Sequence, residues 1–152
     1  MVTRPVPLLV TLCLALVLSM VGFANFAVLL PEFSALWHLT STQAGWIGGI
    51  YFVGYVAAVP LLVGLTDTVD ARKIYVCGTL VGIVSSFGFA WFADGFWSAM
   101  VFRFLAGVSL AGTYMPGLQI LSARLDEGWR QRAVPWYTSA FGVGSGFSYY
   151  YS

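Results

Sequence analysis

The chain has 152 residues, of which 59% are hydrophobic and only 9% carry charge. A soluble domain carries about 25% charge, so this composition excludes a water-facing surface and places the chain in a lipid bilayer. The net charge of +1 supplies no field to attract nucleic acid, and one histidine with two cysteines offers no recognisable metal site or cofactor signature.

A membrane-spanning helix needs about 20 apolar residues, and five segments qualify. The first covers residues 6–30, opening behind Arg4 and closing at Pro31. It is too long for the apolar core of a signal peptide, and no A-x-A cleavage site ends it, so it reads as a retained span. The second covers residues 42–65, with Thr40 or Ser41 suited to the N-cap. The third covers residues 71–92, with Asp70 placed to cap it, and the fourth residues 97–121. The fifth covers residues 134–151, with Pro135 suited to a first helical turn. Cys13 and Cys77 fall inside apolar runs and read as small packing groups.

Lys and Arg in the connections set the orientation. Arg4 precedes the first span, Arg72 and Lys73 lie between the second and third, and Arg124, Arg130 and Arg132 between the fourth and fifth. The other two connections have none. The expectation is a cytoplasmic N-terminus in a multi-pass protein of the plasma or inner membrane. Trp37, Trp46, Trp91 and Trp97 then mark the outer interface, with Tyr149, Tyr150 and Tyr151, while Tyr75, Trp129 and Trp136 mark the inner one. An odd number of spans ending at GFSYYYS is read as the N-terminal bundle, residues 1–152, of a longer chain. A complete five-span protein is the alternative. The pairs Gly45/Gly49 and Gly78/Gly82 and the group Gly142, Gly144, Gly146 are expected at close helix contacts.

The stretch VGLTDTVDARKIY concentrates charge between the second and third spans. Asp67 closes one helix and Arg72 and Lys73 open the next, each against the sign its helix dipole prefers. The bases satisfy the positive-inside preference; the acid needs a compensating partner, for which Arg72 is near in sequence. Together with the lead-in LTSTQAGWIGGIYFVGYVAAVP and the later RFLAGVSLAG, this loop resembles the major facilitator superfamily of secondary transporters, whose second-to-third loop reads roughly G-x-L-A-D-R-x-G-R-K. The resemblance covers nearly the whole chain. It implies an all-α membrane bundle, the first five helices of a 12-helix (6+6) fold, with the C-terminal half of the same transporter as partner. It assigns Asp67 and Arg72, with Lys73 and Gly64, to a latch on the cytoplasmic gate. Val63 replaces the usual first glycine, with Gly64 one place late, and Thr68 and Asp70 replace an arginine and a glycine. A solvated turn that carries only topology charges is the alternative reading of the loop.

Arg103 is the one charge well inside an expected span, roughly 9 Å past Trp97 at 1.5 Å per residue. An intramembrane arginine rarely faces lipid. Gly107, Ala111 and Tyr114 share its helix face. That stripe suits an aqueous cavity, a bond to carbonyls of a neighbouring helix, or snorkelling to the outer interface. Pro116 and Gly117 are expected to bend this helix. In the first span Asn25 shares a stripe with Gly22 and Leu18, and Tyr51 and Tyr55 stack in the second. The resemblance favours Asn25, Tyr51, Tyr55, Tyr114 and Tyr137 as lining a central cavity; packing is the alternative for each.

No Asp or Glu lies in the middle of any span, which leaves the coupling ion unassigned. Neither membrane face presents a nucleophile–base pair, so no catalytic residues are expected. Secondary transport of a small solute by alternating access is the leading expectation, with a scaffold subunit or a membrane enzyme as alternatives.

Overall fold

The computed structural model describes residues 5–20 and 22–151, the last of these by its backbone alone. Arg4 and the Tyr151 side chain, which entered the orientation and interface readings, lie outside what is described. Among the described residues the regular structure is all helical: α1 (Pro5–Ser19), α2 (Asn25–Val28), α3 (Leu30–Leu36), α4 (Ser41–Thr66), α5 (Ala71–Phe92), α6 (Phe96–Arg124) and α7 (Glu127–Tyr151). Three of these, α4, α5 and α6, are long and apolar enough to cross a membrane.

Local chemistry sets most of these boundaries. Thr40 caps α4 through a reciprocal box: the Gln43 N–H donates to the Thr40 hydroxyl and the Thr40 N–H donates to the Gln43 side-chain carbonyl at 2.9 Å. Asp70 caps α5 by accepting from the Arg72 N–H at 2.9 Å, as its position in the sequence implied. The turn from α3 into α4 passes through His38 at φ 50°, a left-handed conformation uncommon for any residue with a Cβ.

Two elements depart from expectation. The fifth helix starts at Glu127, not near residue 134, so Pro135 sits in the helix interior and not in its first turn. The added turns are polar, which hides them from an apolarity count. They are supported by a Glu127–Arg130 pair at 3.7 Å on neighbouring turns. Pro135 frees the carbonyl of Gln131, and both residues are exposed.

The first apolar run is broken. α1 is 15 residues long, about 22 Å at 1.5 Å per residue and short of the roughly 30 Å of bilayer hydrocarbon. Met20, Gly22, Phe23 and Ala24 lie outside helix before α2 resumes at Asn25. Leu18, Gly22 and Asn25 therefore share no continuous helical stripe. The break is tied to the rest of the bundle: the Ala24 N–H donates to the Ser148 hydroxyl of α7 at 2.9 Å, fully buried.

α6 is the hub of the bundle. α4 and α5 pack along it far more than against each other, and α1 packs on α7 on its other side. Glycine makes the first two contacts possible. A Cβ on Gly107 would collide with the carbonyl oxygen of Tyr51, one on Gly54 with that of Phe104, and one on Gly78 with the Gly112 backbone. Ser109 and Ser85 close the α5–α6 seam, donating to the carbonyls of Gly78 and Phe102 at 2.8 and 2.7 Å. Gly82 and Gly144 are also tightly packed, but Gly45, Gly49, Gly142 and Gly146 face open space, against the expectation that those groups mark contacts. α6 runs unbroken through Pro116. The outward faces carry large apolar side chains, among them Leu61, Phe87 and Trp91, as a lipid-facing surface requires.

Candidate functional site

Two constellations stand out, one at the break in the first span and one at the charged elbow. At the break, Arg103 reaches from α6 towards the non-helical segment. Only 9% of it is exposed, so it does not snorkel to the interface. Its Nη1 donates to the carbonyl oxygen of Phe23 at 3.3 Å. Its guanidinium lies 4.9 Å from the Tyr51 ring centroid and 5.6 Å from that of Phe26. Desolvated cation–π contacts of this kind contribute about 2 kcal/mol. Bonding to a neighbouring carbonyl, one of the readings open from sequence, is what the side chain does here. Gly107, one turn on, lets α6 approach α4 closely enough for Arg103 to meet Tyr51.

Tyr51 in turn stands edge-on to Phe23, centroids 5.2 Å apart. It belongs to a cluster with Met20 and Leu110, onto which Phe23, Tyr55, Tyr114 and Phe141 pack. Three of the expected cavity-lining residues, Tyr51, Tyr55 and Tyr114, are thus brought together. Tyr137 stacks on Tyr114 at 5.8 Å but is itself fully buried, its hydroxyl 3.4 Å from the Thr113 carbonyl it donates to. Its place is in the core between α1, α6 and α7. Asn25 opens α2 and is exposed. Sequence reasoning missed Ser148 and Phe23, whose roles arise only from the break.

A cavity of about 500 Å³ lies between α2–α3 and the start of α4, lined by Phe26, Leu30, Leu39, Ala44 and Gly48 among others. Phe26 is common to this cavity and to the cage around Arg103.

At the elbow, residues 66–72 and the end of α6 border a second, open cavity of about 390 Å³, to which Gln119 and Arg124 contribute. Arg124 adds a base to this group that its sequence position had counted only towards topology. Asp67 is the C-cap of α4 and is exposed, as are Arg72 and Lys73. Asp67 and Arg72 make no ion pair with each other; among the described residues the ion pair formed is Arg130–Glu127. Gly64 meets nothing within 4 Å at its Cβ position and Val63 is exposed, so the elbow makes no tight helix contact there. No group of three or more metal-ligating side chains occurs among the described residues.

The family model of the Major Facilitator Superfamily matches residues 12–151, and the chain belongs to this family of multi-pass membrane proteins. Among its relatives is an uncharacterised MFS-type transporter, YcaD, of Escherichia fergusonii, 34% identical over 109 residues, which cover 72% of this chain and 28% of the relative. Another is the niacin transporter NiaP of Acinetobacter baylyi, 26% identical over 108 residues, 71% of this chain and 24% of the relative. The chain thus spans less than a third of the length of these relatives. No solved structure matches it.

Proposed function

We propose that this chain is the N-terminal part of a secondary transporter that moves a small solute across the cytoplasmic membrane by alternating access, with its N-terminus in the cytoplasm. The observation that carries this reading is the pairing of helices. Transporters of this superfamily are built on three-helix repeats of inverted topology. If spans one to three are one repeat and spans four and five begin the next, span one corresponds to four and two to five. The pairing of span two with span four must then reappear as span five with span one. Both pairs are present, as α4 with α6 and α7 with α1. A bundle of helices collected without internal symmetry has no reason to obey that exchange.

The broken first helix is compatible with the same reading, because discontinuous helices contribute to substrate and ion sites in secondary transporters of several other folds. In this reading the elbow is a latch. Asp67, with no ion-pair partner among the described residues, clamps against the C-terminal half of the same transporter when the inner gate is shut, and Arg72 and Lys73 hold the loop at the cytoplasmic surface. The role is non-enzymatic.

The test is solute flux into proteoliposomes containing the complete gene product. Saturable uptake, with counterflow of labelled solute down no net gradient, is expected. A protein that inserts and folds but passes none of a broad panel of small organic solutes contradicts the proposal.

A further inference from the structure

The helices around α6 grip it unequally. α4 and α5 pack along it far more extensively than α1 or α7 do, and α1 packs chiefly on α7. Gly54 and Gly107 bring α4 onto the main chain of α6, and Gly78 and Gly112 do the same for α5. Close approach through small residues is what holds helices together in lipid. Ser109 and Ser85 add hydrogen bonds of 2.8 and 2.7 Å to carbonyls across the α5–α6 contact. α1 and α7 have a close contact of their own, where a Cβ on Gly144 would lie 3.1 Å from the Val17 Cα. α7 also holds Ala24, in the break, through Ser148.

Between these two groups the contact is made largely by side chains. A Cβ on Gly117 would run first into the end of the Tyr137 side chain, not into the backbone of α7. Two hydrogen bonds that cross are long, Tyr137 to the Thr113 carbonyl at 3.4 Å and Arg103 to the Phe23 carbonyl at 3.3 Å. Tyr114 lies against Tyr137 and Phe141, and Met20 clusters with Leu110 and Tyr51. Side chains can trade one packing for another as helices slide in a shear motion. Interlocked backbones cannot, and regions with few contacts open at the lowest free energy.

We infer that the bundle is two mechanical units, α4–α5–α6 and α1–α7, and that the second shears along α6 on this seam. The Tyr137–Thr113 and Arg103–Phe23 bonds are its catches. The units do not follow the sequence repeats, since span four goes with spans two and three. This deepens the transport reading and rests on it for its purpose: a shear within this half adds to any rocking between halves.

The test uses the complete gene product in lipid nanodiscs, with Cys13 and Cys77 replaced by alanine and nitroxide pairs read by double electron–electron resonance. Leu14→Cys on α1 with Leu80→Cys on α5 spans the seam; Val53→Cys on α4 with Leu80→Cys lies within one unit. All three residues are exposed. The seam pair is expected to give a distance distribution about twofold broader than the other pair, or two resolved populations. Tyr137→Phe, which removes one catch, should broaden or shift the seam distribution and leave the other unchanged. Should Tyr137→Phe fail to fold, the comparison of the two pairs decides alone. Equal widths overturn the inference and are the outcome expected if the rest of the protein braces the seam. A seam distribution that Tyr137→Phe leaves unaltered overturns it as well. A broad seam pair in a protein that passes no solute would remove the transport reading and keep the shear. Flux with equal widths would do the reverse.

Discussion

The Ala24 N–H and the Ser148 hydroxyl, 124 residues apart in sequence, meet at 2.9 Å in a fully buried hydrogen bond. It joins the break in the first span to the fifth helix, and with the Arg103–Phe23 bond it supplies partners that the α-helix would otherwise have given. A buried backbone N–H left unsatisfied costs about 1–3 kcal/mol. Ser148→Ala is therefore expected to destabilise the bundle by about that amount, and Ser148→Thr by less. Thermal denaturation in detergent checks it; an unchanged midpoint in Ser148→Ala means the bond is not formed.

Gly107 governs how closely α6 approaches α4, because any Cβ there runs into the Tyr51 carbonyl. Gly107→Leu is expected to cost about 1–3 kcal/mol by overpacking and to pull Arg103 away from Tyr51. Gly45→Leu, at a position with open space, serves as the control and should change stability by less than about 0.5 kcal/mol. Comparable losses in both would contradict the helix pairing.

Arg103 has a structural task as well as a charge. Arg103→Ala removes the bond to Phe23 and both ring contacts, whereas Arg103→Lys retains a cation able to reach the same carbonyl. Flux in proteoliposomes is expected to fall further in the alanine variant than in the lysine variant. Wild-type flux in both would show that the side chain serves neither packing nor transport.

Asp67 and Asp70 lie three positions apart and are assigned different work. Asp70 caps α5, so Asp70→Ala should cost about 1 kcal/mol of stability. Asp67 bears no such bond and sits at a helix C-terminus, where an acid is disfavoured by about 0.3–1 kcal/mol. Asp67→Asn is expected to leave insertion and stability intact while cutting flux several-fold. Unchanged flux at normal membrane abundance removes the latch role.

Much of the architecture was legible before the structure, for identifiable reasons. Spans two to four are bounded by strong local signals, the Thr40–Gln43 box and the Asp70 cap among them, and their apolar runs are near bilayer length. The break in span one was not legible. The run through Met20 to Ala24 has no proline and stays apolar, and the groups that make its break tolerable, Arg103 and Ser148, come from helices far along the chain. The early start of α7 escaped for the opposite reason: its first turns are polar, and a search for apolar runs passes over them. Tyr51, Tyr55, Tyr114 and Tyr137 were singled out through the family resemblance; that the first three meet in one cluster and that Tyr137 is buried against α1 and α6 depends on helix packing, which spacing does not reveal.

The most direct test of the account is the sidedness of its two short connections. In a variant with Cys13 and Cys77 replaced by alanine, single cysteines at Thr68 and at Asp94, both exposed, are labelled with a membrane-impermeant maleimide in right-side-out and inverted vesicles. The account predicts labelling of position 68 from the cytoplasmic side and of position 94 from the outside. The reverse pattern, or labelling of both from one side, would contradict it.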